Sequence, residues 1–161
     1  MSTTIKMAKK AKRPMDTLYL SNLGIQSYDA DNLYPQNVRK IVLNSKTGSG
    51  CMSRYISYLE GNGITDTQLS QMKVNGKQTL DAIHSLCAAD LGMFGGFALH
   101  VNYNMLGFVV EVQHIPFENV RLAERDSQGN VTKVVLHPDW SGRLTRNGKD
   151  VPVNKENCHF L

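Results

Sequence analysis

Residues 31–64, DNLYPQNVRKIVLNSKTGSGCMSRYISYLEGNGI, carry the pattern that decides the fold. Pro35 suits the first turn of a helix, where its missing N–H is no loss. Val38, Ile41 and Val42 then fall at i, i+3 and i+4, one apolar stripe. Asn44 and Ser45 end this helix. Thr47-Gly48-Ser49-Gly50 reads as a flexible connector whose serine or threonine caps a second helix. That helix places Met52, Tyr55, Ile56 and Leu59 on one face and Arg54 and Ser57 on the other. Gly61 and Gly63 bracket Asn62, a helix stop that needs positive φ. Two helices with apolar stripes pack on each other or on a sheet.

Downstream, residues 65–77 are polar with a turn at Val74-Asn75-Gly76-Lys77. Thr79 to Phe94 is the strongest helix: Leu80, Ile83, Cys87, Leu91 and Phe94 repeat at helical spacing. Thr79 caps it, and Asp81 suits its positive dipole end. Gly95-Gly96 ends it. From Phe97 the period changes from 3.6 to 2. Phe97–Tyr103 and Phe108–Ile115 read as a strand pair around a turn at Asn104-Met105-Leu106-Gly107, and Pro116 breaks the second strand. Residues 119–124 and 131–136 are further strands around Asp126-Ser127-Gln128-Gly129-Asn130. Gly142–Val153 is a ribbon with Asn147-Gly148 at its tip. Cys158–Leu161 begins another apolar strand. The predicted class is α+β, helices first and then a mainly antiparallel sheet of hairpins.

Upstream lies a charge asymmetry. The chain has 161 residues and a net charge of +4, from 18 basic and 14 acidic side chains. Lys6, Lys9, Lys10, Lys12 and Arg13 all precede the first acid, Asp16. Without those five, 13 basic residues face 14 acidic ones, a body charge of −1. The basicity belongs to a tail over residues 1–16, followed by one domain over 17–161. Such a tail contacts nucleic acid or an acidic partner, or is simply a solvated terminus. No apolar run approaches the ~20 residues of a membrane span, and no apolar segment follows the N-terminal charges as in a secretory signal. Three widely spaced cysteines, Cys51, Cys87 and Cys158, argue for reduced thiols rather than a disulfide framework.

The residues of chemistry do not assemble into a known constellation. Lys46-Thr47 precede the glycines, so neither the Walker pattern nor GxGxxG is met. The five histidines, His84, His100, His114, His137 and His159, lack zinc-ligand spacing. His100 and His114, on two arms of one hairpin, are candidate cross-strand neighbours. Cys87 on an apolar stripe reads as a structural thiol, and neither Glu118 with Glu124 nor Asp29 with Asp31 stands out as a catalytic pair. The expectation is a non-enzyme with no cofactor and no metal. Met105, Leu106 and Phe108 at the hairpin tip have two readings, local packing against a helix or contact with a neighbouring subunit.

The order of parts resembles one family. An extended segment with Tyr-Pro (NLYPQNV) leads to a helix, then a second helix ending in Glu60-Gly61-Asn62-Gly63-Ile64. A longer helix ends at Phe94-Gly95-Gly96-Phe97, and a strand pair runs into Ile115-Pro116-Phe117-Glu118-Asn119-Val120-Arg121. Over residues 29–140 this is similar to the N-terminal, wing-like portion of tailed-phage portal proteins, the type found in phages of Bacteroidetes-like hosts. The resemblance implies a structural virion protein in a homo-oligomeric ring, usually a dodecamer, at one capsid vertex. That ring forms the channel through which double-stranded DNA enters and leaves. Its implied partners are other copies of itself, the major capsid protein, the large terminase subunit, neck or adaptor proteins and DNA, with no membrane. Assembly would occur in the host cytoplasm. Portal subunits are much longer, so the chain is expected to be the wing part of a longer subunit. The residues expected to matter architecturally are Pro35, Gly61, Gly63, Gly95, Gly96 and Pro116. The rival expectation is a small nucleic-acid-binding protein acting through Lys6, Lys9, Lys10, Lys12 and Arg13.

Overall fold

Ser45 sets the boundary between the first two helices in the computed structural model, which describes residues 19–20, 23–29, 31–142, 145–146, 149–150, 153, 155–156 and 158–161. Helix α1 spans Tyr34–Asn44 with Pro35 in its first turn. Helix α2 spans Lys46–Glu60, and the Ser45 hydroxyl accepts the Gly48 N–H at 3.0 Å. Thr47-Gly48-Ser49-Gly50 is therefore not a flexible connector but the opening of α2. The cap, Ser45, precedes both sequence candidates, Thr47 by two residues and Ser49 by four. A Cβ at Gly48 would come within 3.1 Å of the Ser45 Cβ and Oγ, so glycine here makes room for the cap.

Helix α2 exits through Gly61, at φ 60° and ψ −133°, and Gly63, at φ 69°. Glycine populates these conformations at little steric cost. The short helix α3, Thr67–Gln71, lies in the segment that reads as merely polar; the Asp66 carboxylate caps it by accepting the Gln68 and Leu69 N–H groups. Five residues are too few to display a stripe. Helix α4 spans Leu80–Phe94, with the Thr79 hydroxyl accepting the Ala82 N–H and Asp81 in its first turn. It stops at Gly95 in the left-handed region. Asp81 also accepts the Ile64 N–H, and Ser85 donates to the Glu60 carboxylate, so the α2 exit is tied to the start of α4. Gly92 is no breaker: its missing Cβ would lie 2.8 Å from Ile56, which lets α4 approach α2 closely.

All strand pairings among the described residues are antiparallel. Strand β1 (Tyr19–Leu20) pairs with β2 (Ile25–Gln26). Strand β3 (Ala98–Tyr103) pairs with β4 (Val109–Ile115), from Ala98↔Ile115 to Tyr103↔Val109, with an irregularity at Asn102/Tyr103. Strands β5 (Val120–Leu122) and β6 (Val134–Leu136) are shorter than the sequence predicts. A 3-10 turn over Phe117–Asn119 takes the start of the first one. Strand β7 (Thr145–Arg146) pairs with β8 (Lys149–Asp150) around Asn147-Gly148, which lie outside the described residues. Strand β9 (His159–Phe160) completes a sheet in the order β5-β6-β9. The fold is α+β.

The buried core sits beneath that last sheet, not among the helices. Ile25, Ala123, Val135, Trp140 and Cys158 form it, with Leu23, Leu33 and Val153 packed around them. Burying an Ile or Val side chain there contributes about 1.5–3 kcal/mol. In the helices only Pro35, Ile83 and Ala88 are buried. The predicted stripes are helical, but Ile41, Tyr55 and Leu91 on them are exposed by 69%, 51% and 39%. Helix α2 packs on α1 and α4, and a spacing pattern cannot say how much of each stripe those neighbours cover. No helix among the described residues is long and apolar enough to cross a membrane.

Candidate interaction surface

Two neighbouring parts of the chain compete as functional candidates: a buried corner after β4 and the exposed tip of the β3–β4 hairpin. At the corner, Pro116 caps the Phe117–Asn119 turn and redirects the chain into β5. Asp90 of α4 fastens it. Its Oδ2 lies 2.8 Å from His114 Nε2 and accepts the Phe117 N–H at 3.0 Å. The Phe117 ring stacks on Phe94 at 5.5 Å and on Tyr28 at 5.8 Å between centroids. A Cβ at Gly96 would stand 3.0 Å from that ring, so Gly95 stops the helix and Gly96 admits Phe117.

Arg121 is the centre of the corner and is fully buried. Its Nε donates to Asn32 Oδ1 at 2.7 Å. Nη1 donates to the Glu118 and Val120 carbonyls at 3.0 and 2.7 Å, and Nη2 to the Asn32 carbonyl at 2.7 Å and Gln36 Oε1 at 3.4 Å. The guanidinium lies over the Tyr28 and Trp140 rings, 4.6 and 4.9 Å from their centroids. Such stacking favours a desolvated cation. Burial pulls the guanidinium down to about 10, still charged at neutral pH, and pushes the Tyr28 phenol up. Asn32 holds this geometry in the left-handed region at φ 59°, a conformation asparagine tolerates better than most residues, and its Oδ1 also accepts the Tyr28 N–H. Gln36 Nε2 donates to the Glu118 carbonyl, and Arg39 meets the Glu118 carboxylate at 2.6 Å. The NLYPQNV and PFENVR segments, some 80 residues apart in sequence, are thus one packed unit.

Of the residues singled out from sequence, Pro35, Gly96 and Pro116 stand at or beside this corner, and Gly95 directly precedes it. Gly61 and Gly63 belong to a separate junction, between α2 and α4. Lys6, Lys9, Lys10, Lys12 and Arg13 lie outside the described residues. His100 and His114 are not direct cross-strand neighbours: the register pairs His114 with Leu99 and His100 with Gln113, which puts the two rings on opposite faces. Burial, and secondarily Asp90, push the Cys87 thiol up, away from the reactive thiolate. Among the described residues no three His, Cys, Asp or Glu side chains gather to hold a metal ion. Sequence reasoning missed Arg121, Asn32, Asp90 and Trp140. Arg121 stands in Val-Arg-Leu alternation, which assigns it to a solvated face.

The hairpin tip is the opposite environment. Asn104 builds it: its Oδ1 accepts the Leu106 and Phe108 N–H groups at 2.9 Å each, and its carbonyl accepts the Gly107 N–H. Met105 is fully exposed, and Leu106, Phe108 and Tyr103 are exposed by 79%, 67% and 62%. Local packing against a helix is therefore not what these side chains do. From Phe97 to Val110 there is no Asp, Glu, Lys or Arg. An apolar, uncharged projection with its backbone already hydrogen-bonded is suited to docking on another surface. No protein-family model, curated protein or solved structure matches the chain.

Proposed function

We propose that this chain is the wing-like part of a tailed-phage portal subunit, a structural virion protein at one capsid vertex. The observation that supports this most is the corner. Two of the sequence pieces whose order resembles the portal family, NLYPQNV and IPFENVR, meet there around one buried arginine, so they form one architectural unit. The exposed hairpin is consistent with a subunit that completes its surface against neighbours. In this reading the chain positions and assembles, while chemistry belongs to the terminase that docks on the ring. The test is negative-stain microscopy of the protein expressed from the whole reading frame that encodes this chain. Rings with a central opening are expected; single particles of monomer size overturn the proposal.

The charge asymmetry favours a second reading, a nucleic-acid binder acting through residues 6–13. Deleting residues 1–14 and following DNA binding across salt concentrations separates the two. If all binding disappears with the tail and no ring forms in the intact protein, the second reading replaces the first.

A further inference from the structure

The β3–β4 hairpin has a second apolar feature at its root. There a cleft of about 500 Å³ is lined mainly by apolar side chains, including Phe97, Leu99, Ile115, Leu122, Leu136 and Leu161. None of its lining residues is Asp, Glu, Lys or Arg. Leu99 and Leu122 are each exposed by 40%. Tip and cleft are thus opposite ends of one element. Leu99 and Leu106 are separated by about 20 Å at ~3.3 Å per strand residue. The tip cannot fold back into its own cleft without breaking the ladder from Leu99↔His114 to Asn102↔Glu111. A second copy has no such constraint.

We infer that the hairpin tip of one copy of this chain inserts into the apolar cleft of the next, so that the protein associates with itself head to tail. Three properties carry this. Tyr103, Met105, Leu106 and Phe108 together expose on the order of 600 Å², close to the ~800 Å² per partner of a standard interface. Neither surface carries an Asp, Glu, Lys or Arg side chain, so closing the contact strips no charged side chain of water. The turn keeps its hydrogen bonds to Asn104, so it enters the cleft pre-organised and with those N–H groups satisfied. Each copy offers one tip and one cleft, and a heterologous contact of this kind makes a closed ring or an open filament. Closure into a ring rests on the portal reading; the contact itself does not.

Sedimentation velocity on the full chain, with two single variants and their mixture, tests this. Wild type is expected to grow beyond a dimer with concentration. Leu106→Glu at the tip and Leu122→Glu in the cleft should each raise the dissociation constant by about tenfold or more, with unchanged circular dichroism. The equimolar mixture is the decisive sample. One intact tip and one intact cleft remain, so it should form heterodimers and nothing larger. If Leu122→Glu fails to fold, Leu99→Glu takes its place. A wild type that stays monomeric at every concentration overturns the inference and points to a different protein as the occupant. Self-association of the cleft variant alone overturns it in favour of tip-to-tip contact. Open filaments in place of rings support the contact and overturn only the ring.

Discussion

Met105 and Arg121 lie sixteen positions apart in the chain, and the two occupy opposite environments. Met105 is an apolar side chain that none of the described residues covers; Arg121 is a cation that its own chain covers completely. The arginine is accommodated because carbonyl and amide oxygens accept all of its donors and two aromatic rings face its plane. The methionine is accommodated because the turn beneath it is held by Asn104 and needs no interior. Burial here follows the availability of partners more than side-chain polarity. The corner gathers partners from residues 28–39, 90–96 and 137–140. The tip gathers none among the described residues, which leaves it suited to contacts outside them.

The strongest way to break this contrast is at Arg121. Arg121→Met takes the guanidinium donors from the Asn32 and Val120 carbonyls and leaves the Glu118 carbonyl with only Gln36 and Asn32 Oδ1 with only the Tyr28 N–H, and should lower the unfolding free energy by about 3–4 kcal/mol, read from urea denaturation. A loss under about 1 kcal/mol would mean the corner is not what anchors the fold. Next come the glycines of the α2 exit. Gly63→Val forces a branched side chain into positive φ and puts a Cβ 2.7 Å from Asp81 Oδ1, for about 2–3 kcal/mol. Gly61→Val meets open space and should cost about 1–2 kcal/mol from backbone strain alone. Equal and unchanged melting temperatures for both would refute the placement of this exit. Asp90→Ala removes the acceptor shared by His114 and the Phe117 N–H, for about 1–2 kcal/mol in the same denaturation assay. At the other extreme, Leu106→Ser should change monomer stability by no more than about 0.5 kcal/mol. It should also abolish any concentration dependence of the wild-type melting temperature, since that dependence reflects association. A Leu106→Ser variant as damaged as Arg121→Met would erase the distinction between the two regions.

Much of the architecture was legible because its signals are local. Thr79, Asp81 and Gly95 bound α4 within a residue, since caps and stops act through neighbouring backbone groups. The switch to period two after Gly96 marked the hairpin, and Asn104 to Gly107 marked its turn. What escaped depends on distance or on fine competition. Ser45 took the cap role from a run that looked like a linker. Asp66 capped a helix too short to show a period. The exposure of Ile41 and Tyr55 depends on what packs opposite them. For the candidate site the split is sharper. The apolar tip was visible in Met105, Leu106 and Phe108, with two meanings that only exposure separates. The burial of Arg121 depends on Asn32, 89 residues away, and on ring faces that no local pattern announces.

Trp140, the one tryptophan of the chain, is buried at this corner; its indole N–H donates to the Asn119 carbonyl and its ring faces the Arg121 guanidinium. The protein therefore carries its one indole reporter at the place where distant segments meet, and excitation selective for tryptophan leaves Tyr103 at the hairpin tip silent. Loosening of the corner would register as a red shift in intrinsic emission, while events at the tip leave the spectrum unchanged. A single fluorescence trace can thus tell loss of the scaffold apart from a change in its associations.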